Sequence, residues 1–196
     1  MSSMFPPIPQ DAIGENFKWR DWFRKIGALN GTDIPLPFGS FSSTATQSVT
    51  SINTPTKVTL SNTDEASEIA LSNNQIKVTT PGLYNVQFSI QVTNSNSQAK
   101  DMDIWFRKGN STASNAAVDI ANTASVSSVH GTHGGQPGYL IVAANFFIRM
   151  VANDYIEAWW AADDTGVQLN YLPAITTPFA SPGAPSAIIT LTYISK

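Results

Sequence analysis

The chain has 196 residues, a formal net charge of -3 and no cysteine. A disulfide framework and a cysteine-ligated metal are therefore excluded, and the slight acidity leaves no electrostatic footprint for nucleic acid. Charged residues make up only 13%, about half the usual quarter, and a surface so poor in charge fits a chain covered by copies of itself or by a larger assembly.

The first residues, MSSMFPPIPQDAIGENF, are rich in proline and read as an extended arm. They lack the basic and apolar regions of a signal peptide, and no apolar run reaches the 18 residues of a membrane span. If the protein works outside a cell, a route other than ordinary secretion is expected. Next, Trp19, Trp22, Phe23 and Ile26 fall at i, i+3, i+4 and i+7, one face of a helix. Asn16 suits its N-cap, and Gly27 or Gly31 can end it. An isolated helix of about three turns is marginal, so this aromatic stripe needs a partner. The partner is its own domain, a copy of itself at a symmetry axis, or another protein. The basic-aromatic pattern also suits a membrane surface, against which Asp21 on the polar face counts. A Pro-punctuated linker, Asp33–Phe38, closes this first region of residues 1–38.

From Gly39 the helical period disappears. Strands are expected over 39–50, 57–60, 68–71, 75–80, 83–94, 101–108, 115–121, 138–151, 154–162, 166–171 and 186–195. Tyr84, Val86, Phe88, Ile90 and Val92 alternate with polar residues, as one buried face of a strand requires. Pro81-Gly82 and Asn153-Asp154 are expected to be tight turns, each joining a pair of strands, the second as a hairpin. Thr123–Pro137 and Ala174–Pro185 read as loops. Residues 39–196 thus form one mostly β sandwich or barrel.

Chemistry-bearing constellations are few. His130 and His133 stand as H-x-x-H in a Gly-rich loop, with no acidic residue in that loop to complete a metal site within one chain; only copies around an axis would supply more ligands. Asp163-Asp164-Thr165-Gly166 reads as a short hairpin turn, since the spaced oxygen ligands and distal Glu of a strong calcium loop are missing. No nucleophile has an evident base and orienting acid, so no enzymatic activity and no cofactor are expected. Trp159 and Trp160 are adjacent and must face opposite sides of a strand. One belongs to the core and the other to solvent, a neighbouring subunit or a stacked sugar. Tyr84, Phe88, Phe147, Tyr155, Trp159, Trp160 and Tyr193 are the expected core or subunit-contact residues.

The segment Ile76-Lys77-Val78-Thr79-Thr80-Pro81-Gly82-Leu83-Tyr84-Asn85-Val86 resembles the central motif of the complement-globular-head and tumour-necrosis-factor superfamily, with Ile76 and Val86 where that motif has Phe. Met150–Trp159 is similar to its later Gly-Asp element, with Asn153 for Gly, and Ala187–Ile194 to its closing apolar strand. The resemblance implies an antiparallel jelly-roll sandwich of about ten strands that forms homotrimers, a family in which heads bind calcium near the apex. A narrower resemblance, carried by Gly14-Glu15-Asn16-Phe17 with Trp19-Arg20-Asp21-Trp22-Phe23, by Asp103–Asn110 and by Pro185–Ile189, is to virion proteins of tailed bacteriophages. It implies a particle protein assembled in the host cytoplasm and docked by Phe5, Trp19, Trp22, Phe23 and Ile26 onto the major capsid protein or onto tail or portal components. The expected role is a capsid decoration (cement) protein or head fibre. The alternative is a tail fibre, tail adaptor or receptor-binding head whose loops 123–137 and 174–185 contact a host-surface glycan. Neither reading involves nucleic acid or a membrane.

Overall fold

The computed structural model describes Trp22, residues 36–113 and residues 116–196. The expected arm and helix, with Phe5, Trp19, Phe23 and Ile26, lie outside the described residues; Trp22 is helical and half-buried. The chain divides into two compact units, Met1–Pro35 and Leu36–Lys196. All the strands among the described residues belong to the second unit.

Those strands are β1 (Phe38–Ser43), β2 (Gln47–Ser48), β3 (Thr56–Lys57), β4 (Asn62–Ser67), β5 (Ile69–Ser72), β6 (Gln75–Val78), β7 (Gly82–Asn94), β8 (Lys100–Asn110), β9 (Val118–Asp119), β10 (Ser125–Val129), β11 (Gly138–Met150), β12 (Asp154–Ala162), β13 (Val167–Leu169) and β14 (Ala187–Ser195). They build two antiparallel sheets. In sheet A, β7 has β11 along one side and β14 and β13 end to end along the other, followed by β1 and β2 and then β4. In sheet B, β8 and β12 form the centre, with β10 and β9 beyond β8 and with β6, β5 and β3 beyond β12.

The core lies between the sheets. Tyr84, Val86, Phe88, Ile90 and Val92 point inward from β7, and Met102, Ile104 and Phe106 face them from β8. Phe88, Phe106 and Phe146 have ring centroids 5.8 to 6.2 Å apart and knit the sheets together. Trp160 is fully buried, and its indole N–H has no acceptor among the described residues. Burying that ring outweighs an unmade bond that costs about 1–3 kcal/mol.

Both landmark turns join consecutive strands, as expected, but the hairpin expected at the second is not formed. Strand β6 pairs with β5 and β12, whereas β7 lies in the other sheet. Strand β11 lies in sheet A and β12 in sheet B. Pro81-Gly82 and Asn153-Asp154 are therefore corners that carry the chain from one sheet to the other, and neither is a hairpin. The turn Asp163–Gly166 likewise links β12 of sheet B to β13 of sheet A. At the first corner Tyr84 Oη donates to the Thr80 carbonyl at 2.7 Å, and the Tyr193 ring stands edge-on to Tyr84 at 5.5 Å. Gly82 is needed there because a Cβ would overlap the Tyr193 ring. At the second corner Asn153 has φ 71°, a left-handed conformation that Asn tolerates. The buried Asp154 carboxylate accepts from the Val151 amide at 2.9 Å and from Asn110 Nδ2 at 2.8 Å.

Other segments differ too. The expected strand 39–50 is broken into β1 and β2, because Ser186 Oγ takes the Ala45 carbonyl between them. Strand β4, NTDEAS, was not expected. It lies at the edge of sheet A with few buried side chains, so it has no apolar alternation to reveal it. Strand β10, SVSSV, occupies part of the expected loop 123–137 and pairs with β8.

Candidate functional site

The charged residues are divided between the sheets. Sheet B carries them on β3, β6, β8, β9 and β12. On β1, β2, β7, β11, β13 and β14 the only one is Arg149, and Asp64 and Glu65 sit on β4 at the far edge of sheet A. The outward face of sheet A is consequently almost free of charge.

Alternation along β11 turns Val142, Ile148 and Met150 inward and Tyr139, Ile141, Ala143, Asn145, Phe147 and Arg149 outward. Tyr139, Ile141 and Phe147 are 49%, 61% and 63% exposed. The register extends the outward rows across the sheet: Ala143, Ser89 and Ile188 in one, Asn145, Gln87 and Thr190 in the next. Asn145 Nδ2 donates to Asn85 Oδ1 at 2.8 Å. Small Ala143 and Ser89 between longer neighbours leave an open groove of about 500 Å³. Phe147 and Arg149 also border a second groove, about 420 Å³, with Lys108 and Asn122 on its other side. The outer edge of β11 has no strand partner among the described residues. A long free edge beside exposed apolar side chains is a surface that soluble proteins ordinarily cover.

The expected core and contact residues separate on this frame. Tyr84, Phe88, Tyr155 and Trp160 are buried, Tyr193 is half-buried against the core, and Trp159 is half-buried on the outward side of β12. Phe147 is not a core residue: its neighbour Phe146 takes the inward place, and Phe147 stands on the uncharged face. Tyr155 belongs to the outward side of β12 but is covered, its ring lying over Gly109, where a Cβ would collide with it.

Trp159 belongs to a polar ladder on sheet B. The Arg107 guanidinium sits 4.2 Å from its ring centroid and Lys57 Nζ 5.5 Å. Trp159 Nε1, Lys57 Nζ and Gln75 Nε2 all donate to the buried Glu157 carboxylate, at 2.9, 2.7 and 2.8 Å. Burial pushes the Glu157 carboxyl up, but the bonds from Lys57, Gln75 and Trp159 outweigh it and hold it below its usual range. Asp119 accepts from Arg107 Nε and Trp105 Nε1, each at 2.7 Å, and is held low by those two bonds. These donors and acceptors satisfy one another, so the ladder braces the sheet face.

His130 and His133 are exposed. The His133 and Gln136 backbones bond to each other at 2.9 and 3.0 Å around Gly134 and Gly135, both at positive φ, as a tight two-residue turn requires. Among the described residues no three His, Cys, Asp or Glu side chains converge on a point. Asp164 accepts from the Gly166 amide at 2.8 Å, Asn96 Nδ2 at 3.0 Å and Lys100 at 3.2 Å. Its carboxyl is held low, first by the Gly166 bond. Among the described residues no helix is long and apolar enough to cross a membrane.

One structural residue escaped the sequence reading. Asn94 is fully buried, and its Nδ2 donates to the carbonyls of Gln98 and Val129 at 2.9 and 3.0 Å, while its Oδ1 accepts from the Asn96 amide at 2.9 Å. It pins the turn after β7, and nothing in the polar run TNSNSQ sets it apart. No protein-family model matches the chain, and no curated protein matches it in sequence.

Proposed function

We propose that the chain is a self-associating structural subunit, a trimeric jelly roll whose copies meet through the outward face of sheet A. The supporting observation is the near-absence of charge on that face, together with exposed Tyr139, Ile141 and Phe147 beside a strand edge that has no partner among the described residues. Interface centres are depleted of charge and enriched in aromatics. The two edges of sheet A also differ, with Arg149 on β11 and Asp64 and Glu65 on β4. Unlike edges favour a head-to-tail contact that closes into a ring, over a two-fold contact of like with like. Three as the number of copies comes from the resemblance to the complement-head and tumour-necrosis-factor superfamily.

In this reading the protein decorates a tailed-phage capsid, or forms a head fibre, with sheet B and its charged ladder outward and residues 1–38 as the anchor to the particle. The rival is a tail-fibre or receptor-binding head. Native mass measurement of the purified chain tests the first step, with a three-chain species expected at micromolar concentration; a monomer would sink the proposal. Added to undecorated capsids, the protein is expected to raise their melting temperature. If it leaves capsids unchanged and blocks adsorption of phage to cells, the receptor-binding role holds instead.

A further inference from the structure

Strands β13 and β14 lie end to end along β7, and a single residue marks the gap between them. The Gln91 carbonyl accepts from the Asn170 amide at 2.8 Å, and the Gln91 amide donates to the Ser186 carbonyl at 3.0 Å. Residues 171–185 thus leave the sheet and return to it at the same point. Their base is closed in on both sides, by β7 and by the segment between β1 and β2. There Thr46 Oγ1 accepts from the Tyr171 amide and the Ser43 carbonyl accepts from the Ser186 amide. The inner side is filled by Ile90, Leu169 and Ala187, and no residue of 171–185 is buried. The excursion therefore rises from the outward face of sheet A, the face that carries the 500 Å³ groove.

It is a built finger. Leu172 pairs with Ala184 and Ile175 with Ser181, each through two backbone hydrogen bonds of 2.8 to 3.1 Å. It contains no charged residue. It presents Ile175, 41% exposed, and Phe179, 66% exposed. No residue of the finger lines the groove, whose outward walls are Gln87, Ser89, Ala143, Asn145, Ile188 and Thr190.

We infer that the finger of one copy reaches into this groove on a second copy, with Phe179 as the side chain that fills it. The inference rests on the self-association reading and adds its contact. Knob and socket stand on one face, neither carries charge, and among the described residues nothing of the finger fills the groove. In a head-to-tail ring every copy gives one finger and accepts one. A pinned finger loses little freedom on docking, and an aromatic ring in a desolvated groove is the kind of contact that dominates an interface.

The absence of cysteine allows a clean test. The double variant Phe179→Cys with Ala143→Cys is expected to give disulfide-linked multimers on mild oxidation, while each single variant gives none. Phe179→Ser is expected to weaken association by about tenfold or more, with the fold unchanged because the side chain is exposed. If the native chain associates but the double variant forms no link between chains, or links only within one chain, the finger contact is overturned and self-association stands. A Phe179→Ser variant that associates like the native chain overturns it as well, including the case in which that variant loses only the ability to block adsorption. If the native chain is monomeric, the self-association reading itself fails and the finger contact with it.

Discussion

The backbone amide of Asn153 donates a 3.0 Å hydrogen bond to the carbonyl of Val78, so the two corners of the sandwich are tied directly together. Gly82 pairs with Met150 in the adjoining ladder. Two motifs far apart in the sequence therefore form one structure, the end of the sandwich where the chain twice changes sheets.

Asn153→Ala is expected to destabilise the domain by about 1 kcal/mol, the cost of holding an ordinary side chain in the left-handed region. Asn153→Gly should lose much less. Denaturant midpoints of the two variants decide this; equal losses would mean that the Asn side chain, not the backbone angle, is what matters.

Tyr84→Phe removes the bond to the Thr80 carbonyl and is expected to cost about 1–2 kcal/mol. Burial, with Tyr193 and Glu68 adding, pushes the Tyr84 phenol up to about 12. The unfolded chain loses this proton near pH 10 while the folded one keeps it, so stability from this group is complete below pH 10 and falls as pH rises towards 12. Ultraviolet titration should show one tyrosine ionising late, and Tyr84→Phe should abolish that late step.

Glu157 acts in the opposite direction. Its carboxyl is lowered from 4.5 in the folded chain, so its contribution is present above that pH and lost as pH falls through the lower folded value. Glu157→Gln is expected to cost about 2 kcal/mol at neutral pH and to flatten the acid side of the stability profile. Melting temperatures between pH 6 and pH 3 measure both effects.

Phe147→Glu places a negative charge at the β11 edge of the weakly charged face and is expected to weaken self-association by about tenfold or more. The circular dichroism spectrum should not change, since the side chain is exposed. Lys77→Glu, on the outward side of sheet B, is the control and should associate normally.

The alternation of Tyr84–Val92 was readable because one face of β7 packs on the core along its whole length. The division of Trp159 from Trp160 was readable for the same reason. Strands β4 and β10 were not, because a strand whose apolar contacts are few leaves no period to detect. Phe146 and Phe147 show the limit for a single pair: alternation says that they part, but only the register with β7 says which one joins Phe88.

The low charge, the lack of cysteine and the run of alternating strands were enough to establish a β-rich chain without disulfides and to raise the question of assembly. Pro81-Gly82 and Asn153-Asp154 were visible as turns, since turn chemistry is local. Whether a turn joins neighbours in one sheet or carries the chain to the other depends on pairings across the whole domain, and that was decided only in the tertiary structure. The same holds for the gathering of uncharged residues from β1, β7, β11 and β14 onto one face. Each strand alone shows a few polar and apolar side chains, and only their register makes a surface of them.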